Sequence, residues 1–183
     1  MGRREEQRGA FLDTPHRVEL MNLVEGQYLD GPRREKEPEH IALVARDWLR
    51  TRPTGVVLGP AGAGAHGKIR ATLGRARRRS HRPPHPDHIL VCDALAQSVP
   101  PRSLVLFEEF PHRRSGRADQ AAKRIAGRRG ELFAHVDLTV DRRAKAAAAA
   151  CYPSQLRGYC GDGTQFSSPA VLDTTERYWL PTP

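Results

Sequence analysis

Apolar residues recur along this chain with two different spacings, and the two spacings alternate. In EPEHIALVARDWLR, residues 37–50, Ile41, Leu43, Val44, Trp48 and Leu49 give much of one helical face, and Pro38 suits the first turn. TGVVLG, residues 54–59, is a short apolar run between Pro53 and Gly59-Pro60, the composition of a buried strand. HILVCDALAQSV predicts a helix from His88 to Val99, with Pro86 and Asp87 suited to its N-terminus. SLVLFEEF, 103–110, predicts a second strand. RADQAAKRIAGRRG is a polar helix ended by Gly127 or Gly130. ELFAHVDLTV, 131–140, predicts a third strand, and DRRAKAAAAACYPSQL an alanine-driven helix that stops near Pro153.

The flanks are less periodic. Residues 1–34 are rich in charge and weakly patterned, and Pro60 to Pro84 is irregular, with an arginine-rich insertion or loop at 67–84. The tail SSPAVLDTTERYWLPTP carries apolar residues expected to dock on the body. Strands alternating with helices predict a single α/β domain over residues 1–183, with a Rossmann-like, largely parallel sheet flanked by helices. Ligands of such sheets bind at the carboxyl ends of the strands.

Composition narrows the class. A length of 183 residues suffices for one domain with a real core, although the 38% hydrophobic share places some segments outside it. No run reaches the length of a membrane span, and MGRREEQRGAF lacks the apolar region of a signal peptide. Cys92, Cys151 and Cys160 are odd in number and show no CxxC spacing, so a reducing, cytoplasmic setting is expected.

The net charge of +9 invites a nucleic-acid reading. Lysine occurs only at Lys36, Lys68, Lys123 and Lys145, however, and an arginine and alanine excess follows from GC-rich coding alone. The one basic cluster, GRARRRSHR from Gly74 to Arg82, has no aromatic residue within it on which a base would stack. A solvated loop is the expectation there, and no nucleic-acid or membrane partner is assigned.

Candidate chemistry centres on HPDH, residues 85–88. Pro86 stiffens the turn, and His88 points from the first helical turn toward the sheet edge, where a neutral imidazole can bind zinc. His85 can exchange a proton with a reacting group, and Asp87 can fix the tautomer of an imidazole. His81, His85, His88 and Cys92 make an improvised local site geometrically possible, since Cys92 lies one helical turn after His88. Cys92 in ILVCDAL is the better fit to a small core residue. His66 is a further candidate ligand. His112 is expected at a strand end and His135 within a strand, without roles, and Asp137 and Asp141 read as helix-capping carboxylates.

The order of these motifs resembles the LmbE-like (PIG-L) family of zinc-dependent N-acetylglucosaminyl deacetylases. VVLGPAGAG followed by HPDH is similar to the family's strand, P-x-G-x-G, H-x-D-H and helix. FEEFP resembles its next strand, and ELFAHVDLTVDRRAKAAAAACYPSQ its later strand, helix and Y-x-S-Q motif. The likeness runs from about Thr54 to Gln155. It implies that His88 is a zinc ligand, that His85 stabilises the oxyanion and protonates the leaving amine, and that Asp87 orients His85. It also implies hydrolysis of an N-acetyl group on an amino-sugar conjugate. The family's A-H-P-D-D-E motif, which carries two zinc ligands and the base, has no counterpart in residues 1–60. The chain therefore looks like the later two-thirds of a deacetylase, incomplete at its N-terminal side. Weak or absent zinc, impaired activity and self-association through an exposed sheet edge are the expectations.

A second class competes for the same glycines. In GVVLGPAGAGAHGKI, Gly62, Gly67 and Lys68 satisfy the spacing of a phosphate loop, and Glu108 and Glu109 end an acidic strand. Ile69 stands where that loop needs Ser or Thr for magnesium.

Overall fold

The computed structural model describes residues 3–11, 21, 23, 36–62, 86–109, 118–130, 133–153, 156 and 165–182. These residues belong to two compact units. One unit holds helix α1, Arg3–Ala10, helix α5, Arg142–Ala150, and two short 3-10 turns, Gln165–Ser167 and Pro169–Val171. In it α5 packs against α1 and both turns, and burial of Ala146, Phe166 and Leu172 supplies the apolar contact. Asp141 caps α5 as the sequence indicates: its Oδ1 accepts from the amides of Arg143 at 2.9 Å and Ala144 at 3.1 Å.

The other unit carries helices α2, Glu37–Thr51, α3, Pro86–Ser98, and α4, Ala118–Arg129. Its strands are β1, Val57–Pro60, β2, Leu104–Phe107, β3, Phe133–Thr139, and β4, Thr175–Pro181. The sheet order is β1-β2-β4-β3. β1 and β2 pair in parallel, with Leu58 beside Val105 and Gly59 beside Leu106, and α3 is their crossover. β2 and β4 are antiparallel, with Leu106 opposite Trp179. β3 also runs against β4: Val140 donates to Thr174 O, Asp137 faces Arg177 and His135 faces Trp179, stepping forward on β3 and backward on β4.

The expectation of a largely parallel sheet is therefore corrected. The tail does not merely dock; it enters the sheet as β4 between β2 and β3, and its direction makes the sheet mixed. What stands is an open α/β sheet of four strands with helices packed on it. The basic segment 67–84 lies outside the described residues. Among the described residues no helix is long and apolar enough to cross a membrane.

α3 is the centre of this core, touching α2, α4, β1 and β2. Cys92, Ala94 and Leu95 are buried on it, against Leu104 and Leu106 of β2, which are fully buried. Gly59 belongs to this contact, since a Cβ there would stand 2.7 Å from Leu95 Cδ1. The side of α2 that is buried is Ile41, Ala45 and Leu49, one residue per turn. Leu43, Val44 and Trp48 are exposed, which corrects the helical face assigned from sequence. Trp48 instead covers the turn after α2, with the Arg52 guanidinium 5.2 Å from its ring centre and Gly55 beneath it. α4 ends at Gly130, not Gly127, because Gly130 takes the left-handed conformation at φ +69° that closes a helix. Arg129 then donates to the carbonyls of Ala96 at 2.8 Å and Val99 at 3.2 Å, satisfying the end of α3.

Side chains alternate across the strands, so the sheet surface turned away from α3 carries Leu58, Val105, Phe107, Tyr178, Leu180 and Val136. Tyr178 donates its hydroxyl to Glu176 Oε2 at 2.8 Å. Partial burial, and then the neighbouring carboxylate, raise the Tyr178 pKa to about 12.

Two outcomes follow. Leu49→Ala should cost about 2 kcal/mol or more in urea unfolding, while Leu43→Ala should stay within about 0.5 kcal/mol. Tyr178 holds its proton more tightly folded than unfolded. Its contribution is whole below pH 10 and is lost as pH rises toward about 12. Unfolding curves of Tyr178→Phe should lack that part of the alkaline decline.

Candidate functional site

The parallel pair β1–β2 and its crossover helix bring three segments together at the carboxyl ends of the strands. β1 runs out through Ala61 into Gly62, and the Ala61 amide donates to Phe107 O at 2.8 Å, which extends the pairing to the strand ends. β2 runs out into Glu108 and Glu109, both buried, with 5% and 6% of their surface exposed. α3 starts at Pro86, so His88 lies in its first turn.

Glu109 joins the three. Its Oε1 accepts from the Gly62 amide at 2.8 Å and lies 3.1 Å from Nδ1 of His88. The first turn of α3 adds the positive end of a helix dipole beside this carboxylate. Nδ1 of His88 is buried, while the side chain keeps 30% of its surface. A carboxylate hydrogen-bonded to one imidazole nitrogen fixes a tautomer; here the 3.1 Å approach lies outside hydrogen-bond geometry, and Glu109 acts on the ring through its nearby charge.

Gly62 is glycine for two reasons. Its φ is +65°, and a Cβ there would lie 2.9 Å from Nη2 of Arg124 and 3.4 Å from the Cα of Ile89. Arg124, from α4, reaches Asp93 of α3 at 3.4 Å through Nη1. Its Nη2 is buried and has no hydrogen-bond partner among the described residues. Glu108 is turned the other way, toward β4: it accepts from the Trp179 indole N–H at 2.8 Å, and its own amide donates to Arg177 O at 3.0 Å.

Of the residues singled out from sequence, His88 stands in this corner and Asp87 is half-buried beside it in the first turn of α3. His85, His81, His66 and His112 lie outside the described residues, as do Gly67 and Lys68. Gly62 is present, and its amide donates to Glu109. Cys92 is fully buried in the core. Asp137 caps no helix; it lies on β3 and forms a two-pronged pair with Arg177, at 2.8 and 2.9 Å. His135 lies within β3, its ring 5.2 Å from that of Trp179.

Sequence reasoning did not assign Glu109 to His88. The usable signal was two adjacent acids closing an apolar strand, since buried strand ends do not carry paired carboxylates without partners. Nothing in the sequence pointed to Arg124.

Glu109→Ala should leave the buried Gly62 amide without an acceptor and cost about 1–3 kcal/mol. Neutral His88 should carry its proton on Nδ1 in the native chain and move toward the Nε2 form in Glu109→Ala. Long-range proton–nitrogen NMR of the imidazole reads this directly; an unchanged tautomer would mean that Glu109 does not govern the ring.

No protein-family model, curated protein or solved structure matches this chain, so the corner's chemistry rests on its own side chains.

Proposed function

We propose that the corner of Gly62, His88 and Glu109 is the active-site end of a Rossmann-like domain related to the LmbE-like deacetylases. Its ligand, in this reading, is an amino-sugar conjugate with an acylated nitrogen. The observation that carries the proposal is His88 at the carboxyl end of a parallel strand pair, with a buried carboxylate 3.1 Å behind Nδ1. Open α/β sheets bind their ligands at that end. Imidazoles that hold metals or move protons are oriented in this manner. The order of GPAGAG, HPDH, FEEFP and YPSQ along the chain supports the family.

The fit to zinc is partial. His88 has the donor chemistry of one ligand. Among the described residues, however, no group of three His, Cys, Asp or Glu side chains could hold a metal ion, and a catalytic zinc asks for three protein donors. The sequence also has no A-H-P-D-D-E motif to supply the others.

What remains is proton chemistry. Nε2 of His88 can take a proton from a bound hydroxyl or water, or give one to a departing amine, while Glu109 balances the charge of the imidazolium. His85 and Asp87 are the further candidates for proton transfer and orientation, on the family resemblance. Lacking the family's carboxylate base, the chain is expected to hydrolyse N-acetyl groups slowly or not at all. The nucleotide reading through Gly62, Gly67 and Lys68 is the weaker one, because Glu109 already holds the first of its amides.

Zinc titration by calorimetry, for the native chain and for His88→Ala, tests the proposal. Weak binding that falls by about tenfold or more without the imidazole is expected. Tight stoichiometric binding that survives His88→Ala would place any metal site elsewhere. Robust zinc-dependent release of acetate from an N-acetylglucosaminide would overturn the expectation of impaired activity.

A further inference from the structure

Among the described residues β3 ends the sheet, and Ala134 to Leu138 are exposed along it. An uncovered edge strand is a template for another strand, and natural edges are commonly blocked by lysine, proline or a bulge. FAHVDLT contains no Lys, Arg or Pro, in a chain with 30 Lys and Arg. Its only charged or titratable side chains are His135 and Asp137.

The pairing with β4 decides which backbone groups face outward. Val140 bonds to Thr174. In an antiparallel ladder every second residue does the same, so Leu138, Val136 and Ala134 turn their amides and carbonyls toward β4. His135 and Asp137 turn theirs to the open edge. Phe133 and Thr139 lie at the strand ends, so His135 and Asp137 are the residues through which a second strand adds.

For an antiparallel partner of identical sequence, three symmetric registers use these two residues as bonded partners. One sets His135 against His135, and one sets Asp137 against Asp137; both oppose like groups. The third sets His135 of each copy against Asp137 of the other and places a two-fold axis at Val136. Opposite-charge or hydrogen-bonding pairs across strands stabilise, and like charges directly opposite destabilise. In the third register the other sheet surface is matched as well, with Val136 facing its own copy and Ala134 facing Leu138. These side chains are 39% exposed at Val136 and 51% at Leu138. The Asp137 carboxylate is held in place by Arg177, at 2.8 and 2.9 Å.

We propose that two copies of this chain associate through antiparallel β3–β3 pairing about an axis at Val136, with His135 of each opposite Asp137 of its partner. The result is one continuous sheet across a closed, symmetric dimer. The inference stands on β3 alone and does not depend on the function proposed for the His88 corner.

Light scattering coupled to size separation, with the full chain at low and high micromolar concentration, tests it. Twice the single-chain mass is expected for the native protein. Val136→Lys, at an exposed position, should weaken the dimer by about tenfold or more, since it sets like charges face to face at the axis. At a concentration low enough for the native chain to be monomeric, the two unfolding curves should match. Val136→Cys should form an intermolecular disulfide under mild oxidation, mapped by mass spectrometry to residue 136 in both copies, and Leu138→Cys should not. A native chain that stays monomeric at high concentration would overturn the proposal. So would a dimer indifferent to Val136→Lys, or a larger association, which would indicate stacking of the apolar sheet surface.

Discussion

One carboxylate oxygen, Oε1 of Glu109, fixes the end of β1, the end of β2 and the start of α3 relative to one another. Burying a carboxylate is costly unless its lone pairs find donors. Here the Gly62 amide is the donor, and the His88 imidazole stands 3.1 Å from the same oxygen as an ion-pair contact. The constraint runs outward from that point. To present its N–H, Gly62 adopts a backbone conformation that suits glycine, and the space left by its missing side chain is filled by Arg124 and the backbone of α3. The helix must begin close to the strand ends for His88 to arrive, and the crossover makes the strand pair parallel. The geometry that gives His88 an oriented ring is therefore also the geometry that closes this end of the core.

Much of this was legible in sequence, for physical reasons. Apolar runs bounded by Pro and Gly located β1, β2 and β3 to within a few residues, because short buried strands need those compositions. α3 and α5 were visible from Pro86, Asp87 and Asp141, which mark helix starts by their hydrogen-bonding chemistry. α2 was found, but its buried side was not. Ala45 contributes little to a hydrophobicity pattern, yet its small size lets α2 approach α3, and Trp48 found a partner in a local turn. β4 was the largest omission. TERYWLP shows no alternation of apolar and polar residues, and no local pattern says that a tail will run between two earlier strands.

The site divides in the same way. His88 stood out because imidazoles near a helix start are few and chemically distinct. Its partner did not, since Glu109 is separated from it by a helix and a strand and only the parallel pairing makes them neighbours. Arg124 was hidden among the chain's many arginines. The net positive charge proved a poor guide to this locality. The corner gathers Glu109 and Asp93 against His88 and Arg124, and β3 carries no lysine or arginine.

The position of β4 has a consequence for how the molecule is made. A ribosome that has delivered β1, β2 and β3 has delivered strands that are not neighbours at one of their junctions. Phe107 and Val136 stay on opposite sides of a gap until Tyr178 emerges to lie between them. Glu108 waits equally long for the indole of Trp179, the hydrogen bond that satisfies it in the finished fold. The sheet is thus completed by insertion of β4 between the β1–β2 pair and the single strand β3 rather than by growth at an edge.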